Sequence, residues 1–394
     1  MKSELSCCVL ELYSDFSALE IKNLNYAFAL SRQSLRLLGI WPDPFVPMSD
    51  SHRLSIRFVI VSCFLCLYVF MPQITNVMLA WGNITRMVEN ITAANYSLLA
   101  LCKLISTWYH GKTLRGVMAM VMTDWLTSKN DGERNTMLNI ARRGRTLSLR
   151  CYGVAGFGCM FFLFMNFLKF RRSMHQPQRI LVYHFSYLYN INKSPNYEIT
   201  FFIQILCGLY TALVNSSIDS FVSIILLHIC AQLINLRTAL RNVVDELAKG
   251  SISSSEFKKE LGAITMRHIN LISARHVFKI YGNLFIVSNH FNVSIIKMAF
   301  LLLYLGTVLT HLYIYCYSAE RLLIESTSLA YGVYECKWYD ISPKDAKSLM
   351  FMAYRSTIPL RLTAGKFGTF SLEMFGTTVK TSMGYLSALL TMMD

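Results

Sequence analysis

Apolar residues in this chain come in long runs rather than in narrow stripes, and windows of about 20 residues mark the elements they predict. Phe58 to Ala80 predicts a membrane-spanning helix with a kink at Pro72. Glu89 to Tyr109 predicts a weaker span that carries Lys103, and Leu147 to Leu168 predicts a third. Thr200 to Ile234 is apolar for longer than a bilayer requires. It runs on into LRTALRNVVDELAKG, so the fourth helix is expected to project into the cytosol. Glu256 to Lys279 predicts an amphipathic helix rich in Lys, Arg and His, leading into the apolar Tyr281 to Val287. Ile295 to Tyr317 is another strong span. The closing stretch, Phe367 to Asp394, is long enough to cross as well, yet it holds Glu373, Lys380, eight Ser or Thr and three Gly. With it the pattern predicts an all-α, polytopic membrane protein of seven transmembrane helices.

Composition agrees. Hydrophobic residues make up 54% of the 394 positions and charged ones 15%, outside the range of a soluble globular chain. The first 50 residues hold Asp15, Glu20, Pro42, Pro44 and Pro47 and no basic-then-apolar segment, so no cleavable signal peptide is expected and the start should stay cytosolic. With the N-terminus inside, 29 of the 38 Lys and Arg fall in the four cytosolic segments: the start through Arg57, Lys112 to Arg150, Arg237 to Lys279, and Arg321 to Lys366. The outer loop Lys169 to Lys193 breaks the pattern with five basic residues. Sequons at Asn83, Asn90, Asn95, Asn192 and Asn292 would all lie outside, whereas the triplet at Asn215 lies mid-membrane. The C-terminus is then outside, opposite to a G-protein-coupled receptor. The net charge of +15 is one-sided in this topology, which points to anionic cytosolic lipid and not to nucleic acid.

Catalytic chemistry finds no foothold. There is no Gly-rich phosphate loop, no HExxH pair and no usable Ser, His and Asp constellation, so no enzyme, metal or cofactor is expected. The 11 Cys form no framework, and Cys63 and Cys66 are expected to be small core residues. Asp219 inside the fourth helix, and His228 and Gln232 on one of its faces, are expected to satisfy one another or nearby backbone within the bundle. The polar tail allows two readings. It is stable at membrane depth if one face meets water and its small residues pack on neighbours, which makes it a pore helix in an assembly of several subunits. Otherwise it is a surface helix that never crosses.

Four blocks carry a family resemblance: NLNYAFALSRQSLRLLGIWP near the start, DSFVSIILLHICAQLINLRTALR in the fourth helix, YCYSAERLLIESTSLAYGVYECKWYDIS after the sixth span, and IPLRLTAGKFGTFSLEMFGTTVKTSMGYLSALL at the end. In that order they resemble insect odorant receptors across nearly the whole chain, most specifically through PLRLTAG, SLE and KTS followed by an aromatic. The gustatory receptors are an alternative whose aromatic tail pattern is absent. A G-protein-coupled receptor would need the opposite orientation, and neither a DRY-type triplet nor an NPxxY-type run is present. A transporter would be expected to show internal repeats, and none is visible.

The resemblance implies a tuning subunit of an odorant-gated, non-selective cation channel, assembled as a tetramer with the odorant receptor co-receptor in the plasma membrane of olfactory sensory neurons. It implies a cytosolic segment at 1–57, six membrane helices with cytosolic extensions at 58–344, and a cytosolic anchor and pore helix at 345–394. Within the last, the anchor would be about Asp345 to Lys366 and the pore part about Phe370 to Met392. Aligned on Tyr385, the pore-facing apolar positions would be Ala388 and Met392. The small volatile odorant would sit in the outer half of the bundle, between the second, third, fourth and sixth helices, against Tyr96 and Leu99, Phe162 and Met165, Ile205 and Leu209, and Ala299 and Tyr304. One departure from the family is a fifth crossing too short for a bilayer, since Tyr281 to Val287 runs at once into SNHFNVS. Either Arg275 to Gly282 enters the membrane more deeply or the helix is shortened, and both remain open.

Overall fold

The computed structural model describes residues 18–43, 51–82, 84–128, 130–174, 179–183, 185, 187, 189–283, 295–364 and 368–391. Its helices are α1 (Ala18–Leu37), α2 (Ser51–Leu65), α3 (Met71–Leu79), α4 (Ile84–Tyr109), α5 (Gly111–Thr127), α6 (Asp131–Ser173), α7 (Asn196–Ala248), α8 (Ser254–Asn283), α9 (Ile295–Glu335), α10 (Pro343–Ser356) and α11 (Leu372–Thr391). Among the described residues the one β feature is an isolated antiparallel bridge, Thr363 to Thr369. The stretch 284–294, on which the short fifth crossing turns, lies outside the described residues, as do Met392 and the side chains of Ala299, Tyr385 and Ala388.

The central helix is α7. Its apolar window is 94% buried, against 28% for the α2–α3 helix and 17% for α6. A helix that is apolar on every side must be surrounded on every side, and α7 packs against α1, α4, α6, α8 and α9. Its 53 residues carry it beyond any bilayer, as LRTALRNVVDELA predicts. α6 has 43 residues and starts where Asn130 accepts a bond from the Gly132 amide at 2.9 Å. Asp131 and Glu133 in its first turn and Arg171 and Arg172 in its last complement the helix dipole.

The kink expected at Pro72 takes a specific form. Between α2 and α3 the helix widens to a π turn over Cys66–Phe70, and Pro72 then enters in the first turn of α3. Proline has no N–H to donate and its ring crowds the carbonyl four residues back, so the preceding turn opens to make room.

Two local expectations are corrected. Cys63 is exposed and Cys66 is only half-buried, so this pair is not core; both lie on a helix that the bundle covers on one side only. Asp219 pairs with neither His228 nor Gln232. His228 Nε2 lies 3.0 Å from Asp124 in α5, and Gln232 accepts from Arg267 in α8 at 3.1 Å. Four residues along a helix place side chains on one face, but the partners come from whichever helix that face meets. Of the outer sequons, Asn192 is exposed, while Asn95 is buried and the Asn90 amide donates to the Asn76 carbonyl at 3.1 Å.

Candidate functional site

The sequence-predicted chamber residues fall on four helices, and packing brings part of them together. Tyr96 on α4 and Tyr304 on α9 meet edge to face, with ring centroids 5.6 Å apart and planes at 77°. Phe162 on α6 lies against Gly208 on α7 so closely that a Cβ there would sit 3.0 Å from the Phe162 ring. Glycine is what lets this ring approach the helix backbone next to Leu209. Leu99, Met165 and Leu209 are half-buried. Ile205 instead packs on a separate cluster of Leu181, Tyr197 and Phe201.

That cluster joins the loop after α6, through Leu181, to the first turns of α7. Gln204 of α7 binds both backbone groups of Tyr183, accepting from its N–H at 3.0 Å and donating to its carbonyl at 2.9 Å. The Gln204 amide also donates to the Tyr187 hydroxyl at 3.0 Å, and Tyr187 stacks between Tyr68 and Tyr189. The Tyr183 hydroxyl would lie 3.5 Å from a Cβ at Gly208, so the loop reaches the Phe162 wall. Neither Tyr183 nor Gln204 stands out in the sequence, because a loop's path is set by pairings distant along the chain.

Two turns deeper lies a buried ion cluster. Asp219 on α7 is fully buried and takes three donors: Lys103 Nζ of α4 at 2.8 Å, His311 Nδ1 of α9 at 2.8 Å and the Tyr315 hydroxyl of α9 at 2.8 Å. Cys151 Sγ of α6 sits 3.8 Å from His311 Nδ1. A buried carboxylate without such partners would be prohibitively costly, which explains why a Lys is found at membrane depth in α4. His311 escaped the sequence reading, although Tyr304, His311 and Tyr315 at spacings of 7 and 4 fall on one helical stripe.

The far end of α9 carries the seat of α11. The Phe370 N–H donates to the Leu362 carbonyl at 2.9 Å and the Ala364 N–H donates to the Gly368 carbonyl at 2.8 Å, which brings these two flanks side by side. Gly368 takes φ +128°, a region that favours glycine. Both flanks belong to the closing block of the family resemblance, the most specific of the four through PLRLTAG, SLE and KTS. Leu360 N–H donates to Ser326 of α9 at 3.0 Å, and the Phe370 ring stacks on Tyr315 at 5.7 Å. Phe375 then meets Tyr313 at 5.5 Å. Beyond Phe375 the described side chains of α11 are exposed or half-buried, Met383 at 57%.

A recess between α1, α5, α6 and α7 holds about 10 Å³ and is lined by Phe28, Trp125, Gly144 and His228. It has room for about one water and none for a volatile.

These features define an all-α, polytopic membrane protein with an aromatic contact between α4 and α9 near a buried ion cluster, and with a polar last helix held at one end. A sequence model of the family described as 7tm odorant receptor matches residues 83–288 and 280–383. The chain belongs to that family, whose members are receptors and not enzymes. It is similar to odorant receptor 46a, isoform B, of Drosophila melanogaster, 23% identical over 90% of this chain and 95% of the relative. Odorant receptor 13a of the same fly is 31% identical, with the match spanning 22% of this chain and only 24% of the relative's length. The fold matches olfactory receptor OR5 of Machilis hrabei, solved with eugenol, at a TM-score of 0.78 and 15% identity over 95% of this chain and 99% of that one.

Proposed function

We propose that this chain is the odorant-binding subunit of a ligand-gated, non-selective cation channel. A small volatile is held between α4, α6, α7 and α9, and the pore is lined by α11 together with copies of α11 from other subunits, the odorant receptor co-receptor among them, in a tetramer. The reading places the assembly in the plasma membrane of olfactory sensory neurons, N-terminus inside, with segment 1–57 and the α10 anchor cytosolic.

The observation that carries it is α11 itself. This helix is as long as a membrane span, has a polar and small-residue composition, and among the described residues packs on its own chain chiefly through α9. A helix so placed needs neighbours and water, and a ring of subunits around an axis supplies both. Family membership supports the volatile as ligand, and the aromatic and aliphatic side chains of the chamber suit recognition by shape and dispersion.

Current recorded from cells that express this chain with and without the co-receptor tests the proposal. Odorant-evoked cation current is expected only when both are present. Robust current from this chain alone would remove the partner from the reading, and no current with the partner, at normal surface abundance and across a broad odorant panel, would remove the channel.

A further inference from the structure

We propose that Asp219 is the positioning residue that links the aromatic chamber to the pore helix, acting through Tyr315 and Phe370. The inference rests on the reading above, in which the chamber binds odorant and α11 lines the pore.

Three helices each contribute one group near the chamber and one to the cluster. On α4 these are Tyr96 and Lys103; on α9 they are Tyr304 and His311; on α7, Asn215 donates to the Tyr96 carbonyl at 3.3 Å and Asp219 follows one turn later. Seven residues return a helix to nearly the same face, about 10 Å further along. A ligand that moves Tyr96 against Tyr304 therefore moves α4 against α9 along the stripes that end on the Asp219 carboxylate.

That carboxylate is shared unequally. Lys103 and His311 both bind Oδ2, and the Tyr315 hydroxyl binds Oδ1. Displacing α4 from α9 strains bonds that meet on one buried group, where a bond that is lost costs more than it would at the surface. Tyr315 then has two contacts that must change together, its hydroxyl on Asp219 and its ring on Phe370, two residues before α11 begins. The contacts run from chamber to pore helix along helix stripes and through bonded or stacked neighbours, with Asp219 at a point where α4, α7 and α9 meet on one atom group.

A merely structural role predicts loss of surface abundance and nothing else. A positioning role predicts a change in gating at equal abundance. Tyr315→Phe removes one hydroxyl and keeps the ring stack; Phe370→Leu keeps the hydroxyl bond and removes the stack. Each is to be expressed with the co-receptor, and the odorant-independent current defined as that lost when external Na⁺ is replaced by a large impermeant cation. Both variants are expected to change this current about threefold or more, and the double variant to match the stronger single one, because both cut the same link. Arg237→Gln, whose guanidinium pairs with Glu335 at an exposed cytosolic position, serves as the control. A second readout is the rate at which a charged thiol reagent modifies Met383→Cys, with and without Tyr315→Phe; a shift is expected, since Met383 is exposed on α11. Unchanged current in both variants, or additive effects, overturns the proposal. If the parent complex passes no current, the channel reading fails, and the modification rate at position 383 still decides the link: an unchanged rate overturns it.

Discussion

Ser342 and Asp345 hold the first turn of α10 by exchanging bonds. The Asp345 N–H donates to the Ser342 hydroxyl at 3.2 Å and the Ser342 hydroxyl donates to the carboxylate at 2.8 Å. The Ser254 hydroxyl of α8 also donates to that carboxylate at 2.7 Å, and Lys258 lies 3.5 Å from it. The bond from Ser254 above all, with Ser342 and Lys258, holds the carboxyl below its ordinary value despite burial. A pKa lower in the folded state than in the unfolded one gives stability that is complete above the unfolded value, about 3.9, and is lost as pH falls through the folded value. Asp345→Asn should therefore cost about 1–2 kcal/mol at neutral pH and flatten the acid limb of thermal stability below about pH 4, measured on detergent-solubilised protein. A variant with the parent's acid limb would show that the interaction lies elsewhere. In the chamber, Tyr304→Ala and Phe162→Ala should each remove roughly 1–3 kcal/mol of apolar contact and shift odorant sensitivity about tenfold. Dose–response curves at equal surface abundance check this, and unchanged curves for every active odorant would move the chamber elsewhere.

Whole helices were the most legible feature of the sequence, and their partners the least. Periodicity and length gave α4, α6, α7 and α9 because each of them must bury or span by its own composition. Lys103 was visible as a charge in a span, yet its tie to Asp219 joins residues 116 positions apart, and single-sequence spacing carries no such information. The turn that seats α11 shows the same limit: PLRLTAG marks it, but the stack of Phe370 on Tyr315 depends on where α9 ends up. α11 also carries the sharpest prediction at this scale. A Cys at Met392 or Ala388 should react with a small charged thiol reagent applied from outside, and the fixed charge should change current through a narrow pore. A Cys at Leu389, about 100° round the helix from Ala388, should not. Equal insensitivity at all three positions in channels that still conduct would leave α11 as a surface helix.

At the scale of the molecule, the proposed orientation rests on where the positive charges sit, and the loop 169–193 is the test of that logic. Its five basic residues oppose the bias of the rest of the chain. Two of them are engaged locally. Lys169 donates to the Val182 carbonyl at 3.1 Å, and Arg179 pairs with Glu198 at 2.8 Å while lying 5.0 Å over the Tyr197 ring. Charges that a folded loop ties to its own carbonyls, carboxylates and rings have a structural use on either side of a membrane. They therefore weigh less against the proposed N-terminus-inside arrangement than a bare count suggests, and in that arrangement the exposed Arg142, Arg143 and Arg150 on α6 would be placed to meet anionic lipid. An epitope at the N-terminus of intact expressing cells should thus be stained only after permeabilisation, and one at the C-terminus before it. Asn192, the exposed outer sequon, should carry glycan, so Asn192→Gln should increase mobility on a denaturing gel as much as glycosidase treatment does at that site. Surface staining of the N-terminal epitope would invert the molecule, put the chamber on the cytosolic side, and remove the route by which an external volatile reaches Tyr96 and Tyr304.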